Sequence, residues 1–198
     1  MIMTRPLVLF APGAGAPSTS PWMRRWAGRL GAIGEVAAFD YPYAIAGRRS
    51  PDRLPVLVAA HREALAAARR GPRPAILAGK SMGGRIGCHV ALEEDVAALV
   101  CLGYPLRGAS GALRDEVLVT LHTPILFVQG SRDPLCPLDA LEGVRRRMRA
   151  PSALFVVDGG NHGLEVGRRA LAAEGTSQDA VEARVLEAIR RFVAEHVR

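Results

Sequence analysis

Ser81 stands in Gly79-Lys80-Ser81-Met82-Gly83-Gly84, between the apolar run Ala75–Ala78 and a stretch of helical character, Met82–Leu92. A G-x-S-x-G spacing at a strand-to-helix turn can present a serine hydroxyl on a strained elbow, where it can attack a carbonyl. The residues two before and two after the serine crowd the neighbouring strand and helix, and Gly79 and Gly83 carry no Cβ to clash there. The helix start favours negative charge developing beside Ser81, and the Met82 N–H is the first candidate donor to an oxyanion. Gly79-Lys80-Ser81 also ends like a phosphate-binding loop. That loop needs glycine five positions before its Gly-Lys pair, and Pro74 stands there.

A serine hydroxyl is a weak nucleophile until a base takes its proton, and the base is usually a histidine oriented by a carboxylate. At an elbow of this kind the chain order is serine, then acid, then histidine. Order removes His61, His89 and His122, which fall in helices or just before a strand. His196 ends the closing helix, where a cation suits the dipole. His162 remains, in Asp158-Gly159-Gly160-Asn161-His162-Gly163, just past an apolar run. Asp133 is the first choice of carboxylate, in the polar loop Gln129–Pro134 after Ile125–Val128, with Asp158 as the competitor. The second oxyanion donor is expected from the small-residue loop Ala11–Ala16, with Ala14 preferred and Gly15 next. Trp22, Tyr41 and Tyr104 are the candidates for lining a substrate site, with Trp26 and Tyr43 beside them. Core packing is the alternative role for each.

The elements that must position these residues alternate. Leu7–Ala11, Glu35–Phe39, Ala75–Ala78, Val96–Leu102, Pro124–Gln129 and Ala153–Val157 read as strands. Pro21–Leu30, Asp52–Arg70, Met82–Leu92, Leu138–Met148 and Gln178–Val197 read as helices, with Ser20 and Ser177 as N-caps. The strands are continuous apolar runs, as in a parallel sheet covered on both faces. The expected architecture is therefore a three-layer, doubly wound, mostly parallel α/β sheet of about six strands, one domain over residues 1–198. In such sheets ligands gather at the carboxyl ends of the strands, where Ser81, Asp133 and His162 fall. Only residues 103–123 separate the fourth and fifth strands, too few for a large lid. An open, shallow site is the expectation.

The net charge is +7, yet Lys80 is the sole lysine and the arginines are scattered, mostly in pairs. The denser group, Arg145, Arg146, Arg147 and Arg149, lacks interleaved aromatics for base stacking. Solvated helix faces are expected, and neither nucleic acid nor membrane as partner. Cys88, Cys101 and Cys136 have neither pair nor metal spacing, so no metal or cofactor is expected and the thiols read as reduced in a cytoplasmic protein. Met1–Ala16 has the outline of a weak signal peptide, but Pro12 and Gly13 cut the apolar stretch short. A monomer or small homo-oligomer is expected.

Pro12-Gly13-Ala14-Gly15, Gly79–Arg85, Gly103-Tyr104-Pro105-Leu106, Leu113–Leu118, Gln129–Asp133 and Gly159–His162 resemble the α/β-hydrolase superfamily. Within it they resemble a dienelactone-hydrolase-like branch that includes a testis-expressed protein and a subunit of a chromatin acetyltransferase (NSL) complex. The resemblance implies a Ser81–Asp133–His162 triad and hydrolysis of carboxylic esters or thioesters. It departs at Pro12, where many relatives have histidine before the oxyanion glycine. Because the branch includes a scaffold subunit, a catalytically silent interaction protein is the alternative.

Overall fold

The computed structural model describes residues 5–108 and 111–197. Along the chain run β1 (Leu7–Ala11), α1 (Pro21–Leu30), β2 (Glu35–Ala38), α2 (Pro42–Ile45), α3 (Leu54–Ala68), β3 (Ala75–Lys80) and α4 (Met82–Val90). Then follow β4 (Ala98–Leu102), α5 (Glu116–Thr120), β5 (Ile125–Gly130), α6 (Leu138–Arg145), β6 (Ser152–Val157), α7 (Arg168–Ala173) and α8 (Gln178–His196). The strands form one six-stranded sheet in the order β2-β1-β3-β4-β5-β6, and each recorded pair is parallel.

Alternate residues of the apolar strands enter opposite layers, the period-2 consequence of the pleat. Leu7, Leu9, Leu77, Leu99, Cys101, Ile125 and Phe127 pack with Leu65 of α3, Cys88 and Val90 of α4, Val117 of α5 and Leu141 of α6. Val8, Phe10, Ile76, Ala78, Val100, Leu126 and Val128 face Met23, Trp26 and Leu30 of α1 and Val185, Ile189 and Phe192 of α8. The result is the expected three-layer, doubly wound α/β architecture. Ser20 caps α1, accepting from Met23 N–H at 3.4 Å, and Ser177 caps α8, accepting from Ala180 N–H at 3.1 Å.

Several boundaries differ from expectation. α3 begins at Leu54 rather than Asp52, because Pro55 suits the first turn. β3 continues through Gly79 to Lys80, since Gly79 and Lys80 pair with Cys101 and Leu102 of β4. The one-turn helices α2, α5 and α7 are too short to show a helical repeat in sequence. Of the stretch that resembles a signal peptide, residues 1–4 lie outside the described residues, and Leu7–Ala11 is a core strand instead.

The strand order places a switch point between β1 and β3. The chain winds outward to β2, then returns past β1 to β3 and continues the other way. Ala11, the end of β1, pairs with Gly79 of β3. The loop after β1 and the turn after β3 therefore leave the sheet side by side at its carboxyl edge, where open α/β sheets hold ligands. Between β4 and β5 the described chain carries only the short α5 and an isolated Arg107–Leu113 bridge.

Candidate active site

Ser81 has φ 49° and ψ −115°, a conformation that non-glycine residues rarely adopt. The turn is held by the packing around it. A Cβ on Gly79 would lie 2.2 Å from Gly84 N, and one on Gly83 would lie 2.5 Å from the Ala11 carbonyl oxygen. Only glycine fits at either place. The Ser81 N–H donates to Leu102 O at 3.1 Å, so the backbone of the turn is fastened to β4. Met82 N–H lies in the first turn of α4, where the helix offers it no acceptor.

His162 is carried by the loop after β6, and its Nε2 lies 2.8 Å from Ser81 Oγ. Its Nδ1 lies 2.7 Å from Asp133 Oδ2. Asp133 follows β5, and its side chain is fully buried whereas that of His162 is 27 % exposed. Burial by itself would raise the Asp133 pKa. The hydrogen bond and charge of His162, the Leu135 N–H and the Gln129 amide outweigh burial and hold the carboxyl below its ordinary value. A buried carboxylate that stays ionised can orient the imidazole with Nδ1 protonated and Nε2 free to accept a proton from Ser81.

Asp158 does not reach the imidazole. Its Oδ1 accepts from Ser131 Oγ and from Gly159 N–H, each at 2.9 Å. The other histidines also lie elsewhere. His61 is buried against Tyr41, and burial lowers its pKa to about 3. His89 is on α4, His122 is exposed, and His196 packs on Phe192 at 4.6 Å between ring centroids.

A cavity of about 370 Å³ opens over Ser81 and His162, lined also by Gly13, Ala14, Gly15, Ala16, Trp22 and Lys80. The loop after β1 thus runs beside the serine, and its start abuts the first turn of α4, where a Cβ on Gly83 would lie 2.6 Å from Pro12 O. The Tyr43 hydroxyl donates to the Ala14 carbonyl at 3.3 Å and braces that loop from below. Trp22 lines the cavity, and its Nε1–H also donates to Gly163 O at 2.9 Å.

Tyr41 and Tyr104, the other two expected lining residues, are fully buried and do not face the cavity. Tyr41 stacks near Tyr43 and bonds His61 Nδ1 at 3.1 Å. The Tyr104 ring packs edge-on against Phe127, and its hydroxyl donates to Arg114 O at 3.1 Å. Aromatic rings at strand ends bury large apolar areas, and here that gain places both rings in the core. Trp26 and Tyr43 are buried too.

Two contributors were not among the expected site residues. Gln129, fully buried at the end of β5, receives Tyr104 N–H at 3.0 Å and donates to Asp133 Oδ2. A polar residue ending an apolar strand was the available signal. Lys80 lines the cavity beside the serine, and its being the sole lysine of an arginine-rich chain was the other.

Among the described residues, no group of three or more histidine, cysteine, aspartate or glutamate side chains is placed to hold a metal ion. The three cysteines are buried free thiols, and among the described residues no helix is long and apolar enough to cross a membrane.

Residues 4–194 match the model of the alpha/beta hydrolase domain family, and the chain belongs to that family. Solved structures share its fold at low identity. An alpha-beta serine hydrolase homologue from Coxiella burnetii is 18 % identical, with a TM-score of 0.74 over 96 % of this chain and 86 % of the other. A dienelactone hydrolase from Anabaena variabilis is 21 % identical, with a TM-score of 0.69 over 98 % of this chain and 88 % of the other. Est1E from Butyrivibrio proteoclasticus is 17 % identical, with a TM-score of 0.68 over 98 % and 88 %.

Proposed function

We propose that this protein is a serine hydrolase of small carboxylic esters or thioesters, working through an acyl-enzyme on Ser81. The observation that carries this reading is the unbroken chain from Ser81 Oγ through His162 to Asp133, with links of 2.8 and 2.7 Å. In the first step Ser81 Oγ bonds to the substrate carbonyl carbon while its proton passes to His162 Nε2. Met82 N–H and, from the facing loop, Ala14 N–H or its neighbour Gly15 stabilise the oxyanion. Loss of one such donor commonly costs 10²–10³ in rate. Collapse expels the alcohol or thiol, which takes the proton from His162. Water then attacks the acyl-enzyme by the same route, and Asp133 keeps the imidazole in its working tautomer throughout.

This chemistry needs neither metal nor cofactor. The names of the structural neighbours, a serine hydrolase homologue and a dienelactone hydrolase among them, agree with the reading. The resemblance to the dienelactone-hydrolase-like branch, a single domain acting as monomer or small homo-oligomer, and a cytoplasmic setting complete the proposal.

The test is covalent labelling with a fluorophosphonate. Wild type should label at Ser81, and Ser81→Ala should not. A panel of short esters and thioesters then separates substrates. A folded wild type that never labels would favour a catalytically silent interaction protein.

A further inference from the structure

Lys80 is the sole lysine of the chain and ends β3, one position before Ser81. Its stem runs beside Gly13, whose Cβ, if present, would lie 3.4 Å from Lys80 Cγ. Its ammonium reaches across the end of β4. A Cβ on Gly103, which has φ +71°, would lie 3.1 Å from Nζ and 2.7 Å from the His162 carbonyl oxygen. Glycine there leaves room for the two to meet, and Nζ donates to that carbonyl. Nζ also stands 5.3 Å from the centroid of the Trp22 ring, whose own N–H holds the next carbonyl, Gly163 O.

Two successive carbonyls of the His162 loop are therefore held by donors from β3 and α1. The loop follows β6, an edge strand, and passes through Leu164 at φ 63°. Asn161 Oδ1 accepts from Gly163 and Glu165 N–H, which shapes the loop but does not tie it to the serine. Lys80 ties the strand that carries the nucleophile to the residue that carries the imidazole. A cation this close opposes formation of imidazolium, and burying an ammonium is itself unfavourable. What offsets these costs is the strength of a charge-assisted hydrogen bond and a cation–π contact.

We propose that Lys80 is a positioning residue for His162, its ammonium clamping the His162 carbonyl so that the imidazole stays on the line between Ser81 Oγ and Asp133 Oδ2. The proposal rests on the reading of these three residues given above. It has a pH consequence. Burial lowers the Lys80 pKa to about 8, while Asp133 from the loop after β5 and Glu165 from the loop after β6 favour its charged form. Trp22 of α1 and Gly103, just after β4, also face it and carry no charge. Above that pH the ammonium becomes an amine, the bond loses its charge assistance, and the clamp loosens.

The experiment is the rate of Ser81 labelling by a fluorophosphonate, measured from about pH 5 to 10 in wild type, Lys80→Met and Lys80→Arg. Wild type should lose reactivity on the alkaline side near pH 8. Lys80→Met should label roughly 10- to 100-fold more slowly at neutral pH, as expected for a misplaced base. The loss should fall on the maximal labelling rate, with no alkaline limb remaining. Lys80→Arg keeps a charge, so its alkaline limb should move above pH 10. A wild-type rate that stays level from pH 7 to 10 overturns the proposal, as does a Lys80→Met protein of wild-type rate. So does a Lys80→Arg limb that does not move, which decides the matter where Lys80→Met fails to fold. Wild type that never labels removes the hydrolase reading as well, whereas normal labelling with any of these outcomes removes the Lys80 proposal alone.

Discussion

Asp133 meets His162 through a single carboxylate oxygen, Oδ2, 2.7 Å from Nδ1. The same oxygen accepts from the Gln129 amide, while Oδ1 accepts from Leu135 N–H at 2.9 Å. The carboxylate is thus fixed from both ends before it holds the imidazole. Asp133→Asn would present an amide that favours the wrong tautomer of His162. Its fluorophosphonate labelling rate should fall about 10³- to 10⁴-fold. Asp158→Asn, which disturbs only the Ser131–Gly159 turn, should stay within about threefold of wild type, the change expected of a polar substitution that leaves the base untouched. Equal losses would mean that the imidazole is oriented by something other than Asp133.

The elbow was legible in sequence because its geometry forbids alternatives. With Gly84 N and Ala11 O so close, glycine is required at 79 and 83, and the pair marks the turn in the sequence. Asp133 and His162 were legible because the strands before them are apolar runs and the acid and histidine fall just past the ends. Position along a strand, however, says only how near an aromatic lies to the sheet edge and not toward which layer its ring turns. Tyr41 and Tyr104 were expected at the substrate surface on the first criterion and lie in the core by the second. Gln129 and Lys80 stand out in sequence by residue type alone, because the backbone groups they bond, Tyr104 N–H and the His162 carbonyl, lie 25 and 82 positions away.

The cavity above Ser81 is small, and Trp22 closes one side of it. The described residues between β4 and β5 offer only α5 and a short bridge, with no helical cover for a long chain. Acetyl and butyryl esters should therefore give higher kcat/KM than octanoyl or longer ones. Each further methylene left in water forgoes about 0.8 kcal/mol of burial. A kcat/KM that keeps rising toward long chains, read from a p-nitrophenyl ester series, would contradict the open site.

His61 gives a stability prediction apart from the chemistry. It is fully buried, bonds Tyr41 through Nδ1, and has no partner at Nε2 among the described residues. Burial lowers its pKa to about 3 from 6.5. Between those values the unfolded chain binds a proton that the folded chain refuses. Stability from this group is therefore complete above pH 6.5 and is lost as the pH falls toward 3. The slope from one such group reaches about 1.4 kcal/mol per pH unit. His61→Gln removes that titration, so its midpoint in urea should change less between pH 7 and 4 than that of wild type. Parallel curves for the two proteins would show that His61 is not a source of acid sensitivity.

In the proposed mechanism the decisive residue is His162, since its two nitrogens join Ser81 to Asp133. A protonated imidazole has no lone pair for the Ser81 proton. Labelling by the fluorophosphonate should accordingly be lost in acid. His162→Ala should lose nearly all reactivity, a fall of about 10³-fold or more. His89, His122 and His196 lie away from the cavity, and replacing any of them should leave most of the rate. His61→Gln should do the same at neutral pH, provided the folded fraction is matched. The acid limb distinguishes a base from a packing residue, because loss of packing would lower the rate at every pH without removing the ionisation. If His162→Ala still labels and keeps the wild-type acid limb, the proton leaves Ser81 by another route and the proposed mechanism is wrong.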